Sequence, residues 1–424
     1  MNSVCVIGLG YIGLPTAAML AFRGLKVSGI DIQPEVVDIV NSGNIHIEEP
    51  TLRALVGGAV DSGNLRAYTT PQKSDVYIIA VPTPVGDDKK ARMDYVEAAA
   101  ESIVPLLRAG NLVILESTSP PETTTKLLVP ILEKSNLKIG EELLVAYCPE
   151  KVLPGRIVQE LIENHRIIGG INEKSSQAAK QLYSSFVRGE IFLTDSITAE
   201  MVKIVENTYR DVNIALANEF AKISAELGIN IWEVIKFTNM HQRVNVHSPG
   251  PGVGGHCISV DPWFIVEKYP HLAKLINQAR EVNDSMPEFA YNLVIEAVRD
   301  IENPKITILG LTYKPDIDDI RESPAMEITE KLKNTPDIRV SVYDPHVKGM
   351  PSSLEDALHG SDCILLAVNH REFDVINPQM AAALMRNQII IDTRNALNGQ
   401  AWEEAGFRYV LLGSAISRLA CAVG

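Results

Sequence analysis

Residues 3–13 read SVCVIGLGYIG, and no other stretch constrains the fold as tightly. A short apolar run, Val4 to Ile7, predicts a buried strand. Gly8, Gly10 and Gly13 follow as G-x-G-x-x-G, and a helix pattern runs from Leu14 to Arg23. Alone, that glycine spacing is a weak signal. Between a strand and a helix near the N-terminus, it has the context a dinucleotide fingerprint requires. The first glycine permits the tight turn, the second lets the backbone approach a pyrophosphate, and the third lets helix and strand pack closely. The unpaired N–H groups of the helix start then face the phosphates. A second strand, KVSGID, delivers Asp31 where a ribose 2′-hydroxyl is bound. A carboxylate there repels a 2′-phosphate, so NAD is expected rather than NADP. The plainer alternative is a solvated loop acid.

Further βα units follow. DVYIIAVPTP ends in a Pro-rich turn with Thr83, and NLVILESTSPPET ends in Ser117 and Thr118. LLVAYCPE ends in Glu150, and HRIIGG comes next. Polar residues at the carboxyl ends of parallel strands line the ligand crevice in this architecture. Thr83 and Thr118 are therefore candidates to touch the cofactor, with a helix N-cap as the alternative for either.

Residues 196–228 predict one long helix, with Ser196 at its start and Gly228 near its end. Met201, Ile204, Val205, Thr208 and Val212 supply an apolar side. Lys203, Asn207 and Arg210 fall at i, i+4 and i+7 on one face. Such a stripe either holds a polar or anionic ligand or is simply solvated. From Lys305 the βα pattern restarts: KITILGLTYKP, IRVSVYDPH, DCILLAVNH and QIIIDTRN all read as strands. This second α/β half lacks G-x-G-x-x-G, so a second dinucleotide is not expected there. Lys314 and Arg394 at strand ends suit a diphosphate, or serve as surface ion-pair residues.

The net charge of −14 argues against nucleic acid as a partner. No apolar run reaches the roughly 18 residues that a membrane helix needs, and a strand starting at Ser3 leaves no room for a signal peptide. A cytoplasmic location is expected. The five cysteines, Cys5, Cys148, Cys257, Cys363 and Cys421, lack the close pairing of a zinc site, so no metal is expected. Cys5 and Cys363 sit in apolar strand patterns and read as core. Cys257 differs. It ends the loop PGPGVGGHC, with Asp261 four residues on. Glycines give a loop no side-chain shield, so this thiol is either reachable and reactive or a small buried hydrophobe.

Read together, GLGYIGLPTA, VPTP, ESTSP, CPE, PGPGVGGHC, VDP and LTYKPDIDDIRESPA resemble the UDP-sugar 6-dehydrogenase family, in order and over essentially the whole chain. Within it, VLPG after CPE, HQRVN before PGPGVGGHC, and TYRDVNIALANE are most similar to the branch acting on UDP-N-acetyl-D-mannosamine. The resemblance implies oxidation of a C6 primary alcohol to a carboxylate with two NAD per sugar. Cys257 matches the family's nucleophile: a thiolate that traps the aldehyde lets a second hydride leave and gives a thioester. Lys203 matches a lysine that stabilises charge at the C6 oxygen and exchanges protons, and Asn207 a donor one turn on. Asp261 orients Lys203 or assists the hydrolytic water. Glu150 is a candidate base for thioester hydrolysis, with Thr118, or else caps a turn.

The cofactor set implied is Gly8, Gly10, Tyr11, Ile12, Gly13, Asp31, Thr83, Thr118 and Arg321. For the UDP-sugar the resemblance points to Lys151, Val152, Lys203, Asn207, Arg210, His241, Arg243, Gly254, Tyr313, Lys314 and Arg394. Lys151 stands where the family leads one to expect arginine. His241 and Arg243 lie past the long helix and are candidates to enter a neighbouring subunit's site. The fold expected is α/β, with two Rossmann-like doubly wound domains joined by a long central helix. Its parts are an NAD domain over 1–194, a helical dimerisation region over 195–300 and a UDP-sugar domain over 301–424. A homodimer or larger assembly is expected. The rivals are a UDP-N-acetylglucosamine or UDP-glucose 6-dehydrogenase and a β-hydroxyacid dehydrogenase. In another class stands an NAD-binding regulatory protein without turnover, which would not need the Lys203, Cys257 and Asp261 set.

Overall fold

The computed structural model describes residues 1–414 apart from 48, 50, 154 and 352; Cys421 lies outside the described residues. The chain divides into two compact units. One comprises Met1–Glu206 with Trp263–Pro270, the other Asn207–Pro262 with the chain from His271 onward.

Among the described residues, eight strands form the sheet of the first unit: β1 (Ser3–Ile7), β2 (Lys26–Ile30), β3 (Leu65–Tyr68), β4 (Val76–Ile79), β5 (Leu112–Leu115), β6 (Leu144–Tyr147), β7 (Arg166–Gly170) and β8 (Ile191–Asp195). Their order is β3-β2-β1-β4-β5-β6-β7-β8. The first-made strand is thus central, and the order reverses beside it, at the place where open α/β sheets bind ligands. Alternate residues feed two cores. Val4, Val6, Ile78 and Ile114 face one side; Cys5, Ile7, Tyr77 and Val113 face the other. Burial pushes the Cys5 thiol up to about 11, as befits a packing residue.

HRIIGG forms β7, but it pairs antiparallel to β6, so it is not the next unit of a parallel series. The chain between them turns back after one short helix, Ile157–Glu163, with no crossover to restore direction. IFLTD, unremarked in the sequence, forms β8 parallel to β7.

In the second unit β9 (Lys305–Leu309), β10 (Arg339–Tyr343), β11 (Cys363–Leu366), β12 (Ile389–Asp392) and β13 (Arg408–Leu411) form a parallel sheet in the order β10-β9-β11-β12-β13. It echoes the first. Gly310 (φ +87°) follows β9 as Gly8 (φ +93°) follows β1. The Gly310 N–H donates to Tyr343 O as that of Gly8 donates to Ile30 O. Asp344 accepts from the Leu311 and His346 N–H groups, as Asp31 does from Leu9 and Gln33. Thr312 stands where the first unit has Gly10, and the fingerprint ends there.

Among the helices are α1 (Gly13–Phe22), α2 (Glu173–Tyr183) and α3 (Ser196–Leu227). The long helix spans 32 residues and stops before Gly228 at φ +72°. Its expected apolar side is divided. Ile204 and Thr208 are buried, whereas Met201 and Val205 are exposed. No described helix is long and apolar enough to cross a membrane.

Candidate active site

The turn after β1 is built for close approach. A Cβ on Gly13 would stand 1.8 Å from the Gly8 carbonyl oxygen, and one on Gly8 would stand 2.5 Å from Ala80 O. A Cβ on Gly10 would meet nothing within 4 Å, so that backbone faces open space. Tyr11 and Ile12 are half-buried beside it, and α1 begins at Gly13. Asp31 directly follows β2, with one oxygen on the Leu9 N–H (3.2 Å) and the other on the Gln33 N–H (3.0 Å). The turn, the bare Gly10 backbone and the fixed acid suit a dinucleotide. Thr83 donates to the Thr118 carbonyl at 2.6 Å, tying the ends of two neighbouring strand loops. Neither threonine caps a described helix; the helix after Thr83 has Met93 at its N-cap.

Glu150 follows β6 and is buried. One oxygen accepts the Lys151 N–H at 2.8 Å, and the other pairs with Arg166 at 2.5 Å. The Lys151 side chain is taken by Glu206 on α3, while Val152 is half-buried. Lys203 lies on α3 in the same unit and is buried. Asn207 follows one turn later, where the second unit begins.

In the second unit the glycine loop presents Cys257, which is exposed. Its carbonyl accepts the Asp261 N–H at 2.8 Å, starting α4 (Asp261–Lys268). Asp261 is 2% exposed and accepts from Asn207 Nδ2 at 2.6 Å. The thiol is thus held outward at a helix start whose acid is bolted to α3. The glycines do more than uncover the thiol. A Cβ on Gly254 would lie 2.3 Å from Glu322 O, on Gly255 (φ +84°) 2.7 Å from the Tyr313 ring, and on Gly250 2.6 Å from Arg394 Nη1. The loop is bare because it packs directly on the segments carrying Tyr313 and Arg394.

Arg394 donates through Nε to Ala367 O, and burial pulls its guanidinium down to about 10. Lys314 is half-buried. Arg321 is exposed and grips Asp319 through two hydrogen bonds of 2.9 Å. Burial opposes charge on Asp319, yet the Arg321 hydrogen bonds hold its carboxyl below the usual range. Arg210, His241 and Arg243 are exposed. The sequence-derived site residues therefore divide. Gly8 through Lys203 belong to the first unit and Asn207 through Arg394 to the second.

Three models of the UDP-glucose/GDP-mannose dehydrogenase family match: the NAD binding domain over residues 2–187, the central domain over 197–285 and the UDP binding domain over 307–399. The chain belongs to this family. It is an NAD-dependent oxidoreductase. A UDP-N-acetyl-D-mannosamine dehydrogenase of Methanococcus vannielii is 50% identical, aligned over 98% of this chain and 97% of its own. An NDP-N-acetyl-D-galactosaminuronic acid dehydrogenase of Ralstonia solanacearum is 48% identical over 93% and 96%. The solved structure of a UDP-D-ManNAc dehydrogenase from Pyrococcus horikoshii superposes with a TM-score of 0.92 at 43% identity, covering 97% of this chain and 99% of that one.

Several residues of this dehydrogenase escaped the sequence reading. Arg166 is 3% exposed beneath Glu150. Glu116 is fully buried and accepts from Tyr183 Oη at 2.6 Å; burial, above all, pushes its carboxyl up to about 7. Glu200 on α3 accepts from the Glu122 and Thr124 N–H groups at 2.6 and 2.7 Å, fixing the loop that carries Thr118. For Arg166 and Glu116 the available signal was a charged residue beside an apolar strand, since an unpaired buried charge is too costly to keep; Glu200, inside a helix, had no such signal.

Proposed function

We propose that the protein oxidises C6 of UDP-N-acetyl-D-mannosamine to the carboxylate, releasing two NADH per sugar. The observation that carries this reading is the exposed Cys257 thiol set four residues before buried Asp261, at the start of the helix that acid opens. A dehydrogenase that stops at the aldehyde needs no such thiol. The names of the relatives support the sugar.

NAD, when bound, accepts a hydride from C6 in each of two oxidations. Gly8, Gly10, Tyr11, Ile12, Gly13, Asp31, Thr83, Thr118 and Arg321 are the residues assigned to hold it. Lys203 takes the C6 hydroxyl proton, directly or through water, and stabilises charge on that oxygen. The Cys257 thiolate adds to the aldehyde carbon, forming a thiohemiacetal; loss of the second hydride leaves a thioester. Asn207, held by Asp261, steadies the reacting oxygen. Glu150, helped by Thr118, takes a proton from the water that releases the acid.

Lys151 and Val152 clamp the sugar through their backbone, since the Lys151 ammonium is engaged by Glu206. Arg210, Gly254, Tyr313, Lys314 and Arg394 take the UDP moiety. His241 and Arg243, exposed past α3, serve a neighbouring subunit. We assign the homodimer contact to α3, and the reaction to the cytoplasm. Functionally the chain divides into cofactor (1–194), dimerisation (195–300) and UDP-sugar (301–424) parts.

The test is NADH formed per sugar consumed, with UDP-N-acetylmannosamine, UDP-N-acetylgalactosamine, UDP-N-acetylglucosamine and UDP-glucose compared. Two NADH with the mannosamine sugar preferred is the expected result. Two with another sugar preferred removes the substrate and keeps the mechanism. One NADH with aldehyde accumulating removes the thiol mechanism.

A further inference from the structure

Arg166 opens β7 and is nearly inaccessible. Burying a guanidinium is expensive unless its partners are well placed, so its neighbours are informative. They exist because of the antiparallel step in the sheet. Tyr147 pairs with Gly169 and Ala146 with Gly170; continuing that register carries Arg166 opposite Glu150. Nη2 then meets Glu150 at 2.5 Å, and Nη1 lies 3.8 Å from Cys148 Sγ. The guanidinium covers the Tyr183 ring at 4.7 Å and the Phe186 ring at 5.5 Å, contacts that fix its plane. Tyr183 in turn bonds Glu116, which also accepts from Thr16 on α1 at 3.4 Å. The second Glu150 oxygen accepts the Lys151 N–H. Both carboxylate oxygens therefore have set directions.

The geometry points to Arg166 as a positioning residue for the hydrolytic half of the reaction: it holds the Glu150 carboxylate in one orientation, so that Glu150 receives a proton from the attacking water. The inference rests on the reading of Glu150 as the hydrolytic base. In that step the water oxygen bonds to the thioester carbon, and one water proton passes to Glu150. The carbon–sulfur bond breaks, Cys257 leaves as thiolate and the carboxylic acid is freed, later losing its own proton to solvent. No oxidant is required, because both hydrides have already left. Lysine cannot replace the arginine fully: a point charge lacks the fork that fixes a carboxylate and the flat face that stacks on Tyr183.

The experiment follows NADH in a single turnover and in the steady state with UDP-N-acetyl-D-mannosamine, while intact-protein mass is read on quenched samples. Wild type, Arg166→Lys, Arg166→Met and Glu150→Gln are compared, each first checked for its melting transition and NAD binding. Both Arg166 variants are expected to release two NADH per active site at close to the wild-type rate. Steady-state turnover then slows by about 10- to 100-fold, the usual penalty for misplacing a reacting group, with a sugar adduct building up on the protein. Arg166→Lys should be the milder. A burst slowed as much as the steady state, or a raised KM without an adduct, overturns the inference. If Arg166→Met does not fold, Arg166→Lys decides by the same readout. If Glu150→Gln builds up no adduct, the fault lies in the reading of Glu150. If it does so and the Arg166 variants do not, this inference alone falls.

Discussion

Gly13 and Glu116 show how single residues carry this fold. At Gly13 the Gly8 carbonyl occupies the place a Cβ would need. Gly13→Ala is expected to cost about 1–3 kcal/mol of stability, as overpacking does, and to weaken NAD binding about tenfold or more, equivalent to about 1.4 kcal/mol; thermal melts and NAD titration measure the two. Glu116 gives a pH signature. Its carboxyl rises from 4.5 to about 7 on folding, chiefly through burial. A raised folded value means the stabilising contribution is complete below pH 4.5 and is lost as pH climbs toward 7. Measured as wild type minus Glu116→Gln, stability should fall by a few kcal/mol across that window, since each pKa unit is worth about 1.4 kcal/mol. A flat difference in denaturant titrations would remove the assignment. Gly13, Asp31 and Cys257 were legible in the sequence because local spacing defines their surroundings. The Arg166–Glu150 pair was not, because it depends on which way β7 runs.

Elements were legible where the pattern is strongly periodic. The fingerprint strand and helix, the long helix and the restart near Lys305 all form as their patterns predict. The direction of β7 was not, since an apolar strand reads the same either way. Nor were β8 and β13, short strands of mixed pattern. The long helix shows a further limit: periodicity finds a stripe but not what covers it. Tyr209, Leu216, Phe220, Ile223 and Leu227 on α3 are exposed in the single chain, spaced by four, seven, four, three and four residues from Val205 onward. That is the spacing of a helix-packing seam. If it forms the dimer contact, Phe220→Glu should raise the dimer dissociation constant by at least about tenfold, as burying an unpaired charge demands, with the melting transition of the isolated chain little changed. Sedimentation equilibrium reads this directly, and an unaltered constant would place the contact elsewhere.

At the scale of the whole molecule the family could be read from ordered motifs alone, but the partition into units could not. The first unit recruits Trp263–Pro270 from beyond the glycine loop. Lys89 lies over the Trp263 ring at 5.1 Å, the Ala91 N–H donates to Glu267 at 2.9 Å, and Lys268 pairs with Glu122 at 2.5 Å. Lys268→Met should therefore loosen the 120–124 loop, seen as faster proteolysis there, with the second unit unaffected. The recruitment also sets an order of events during synthesis. The ribosome releases β1 before either of its sheet neighbours, so this central strand must wait for both. The same unit then lacks its last helix until the glycine loop has been made. Domains usually mature in the order they are translated; here the earlier one is sealed only after part of the later one has emerged, so a nascent chain paused before Trp263 presents an unfinished first domain to the cell's chaperones.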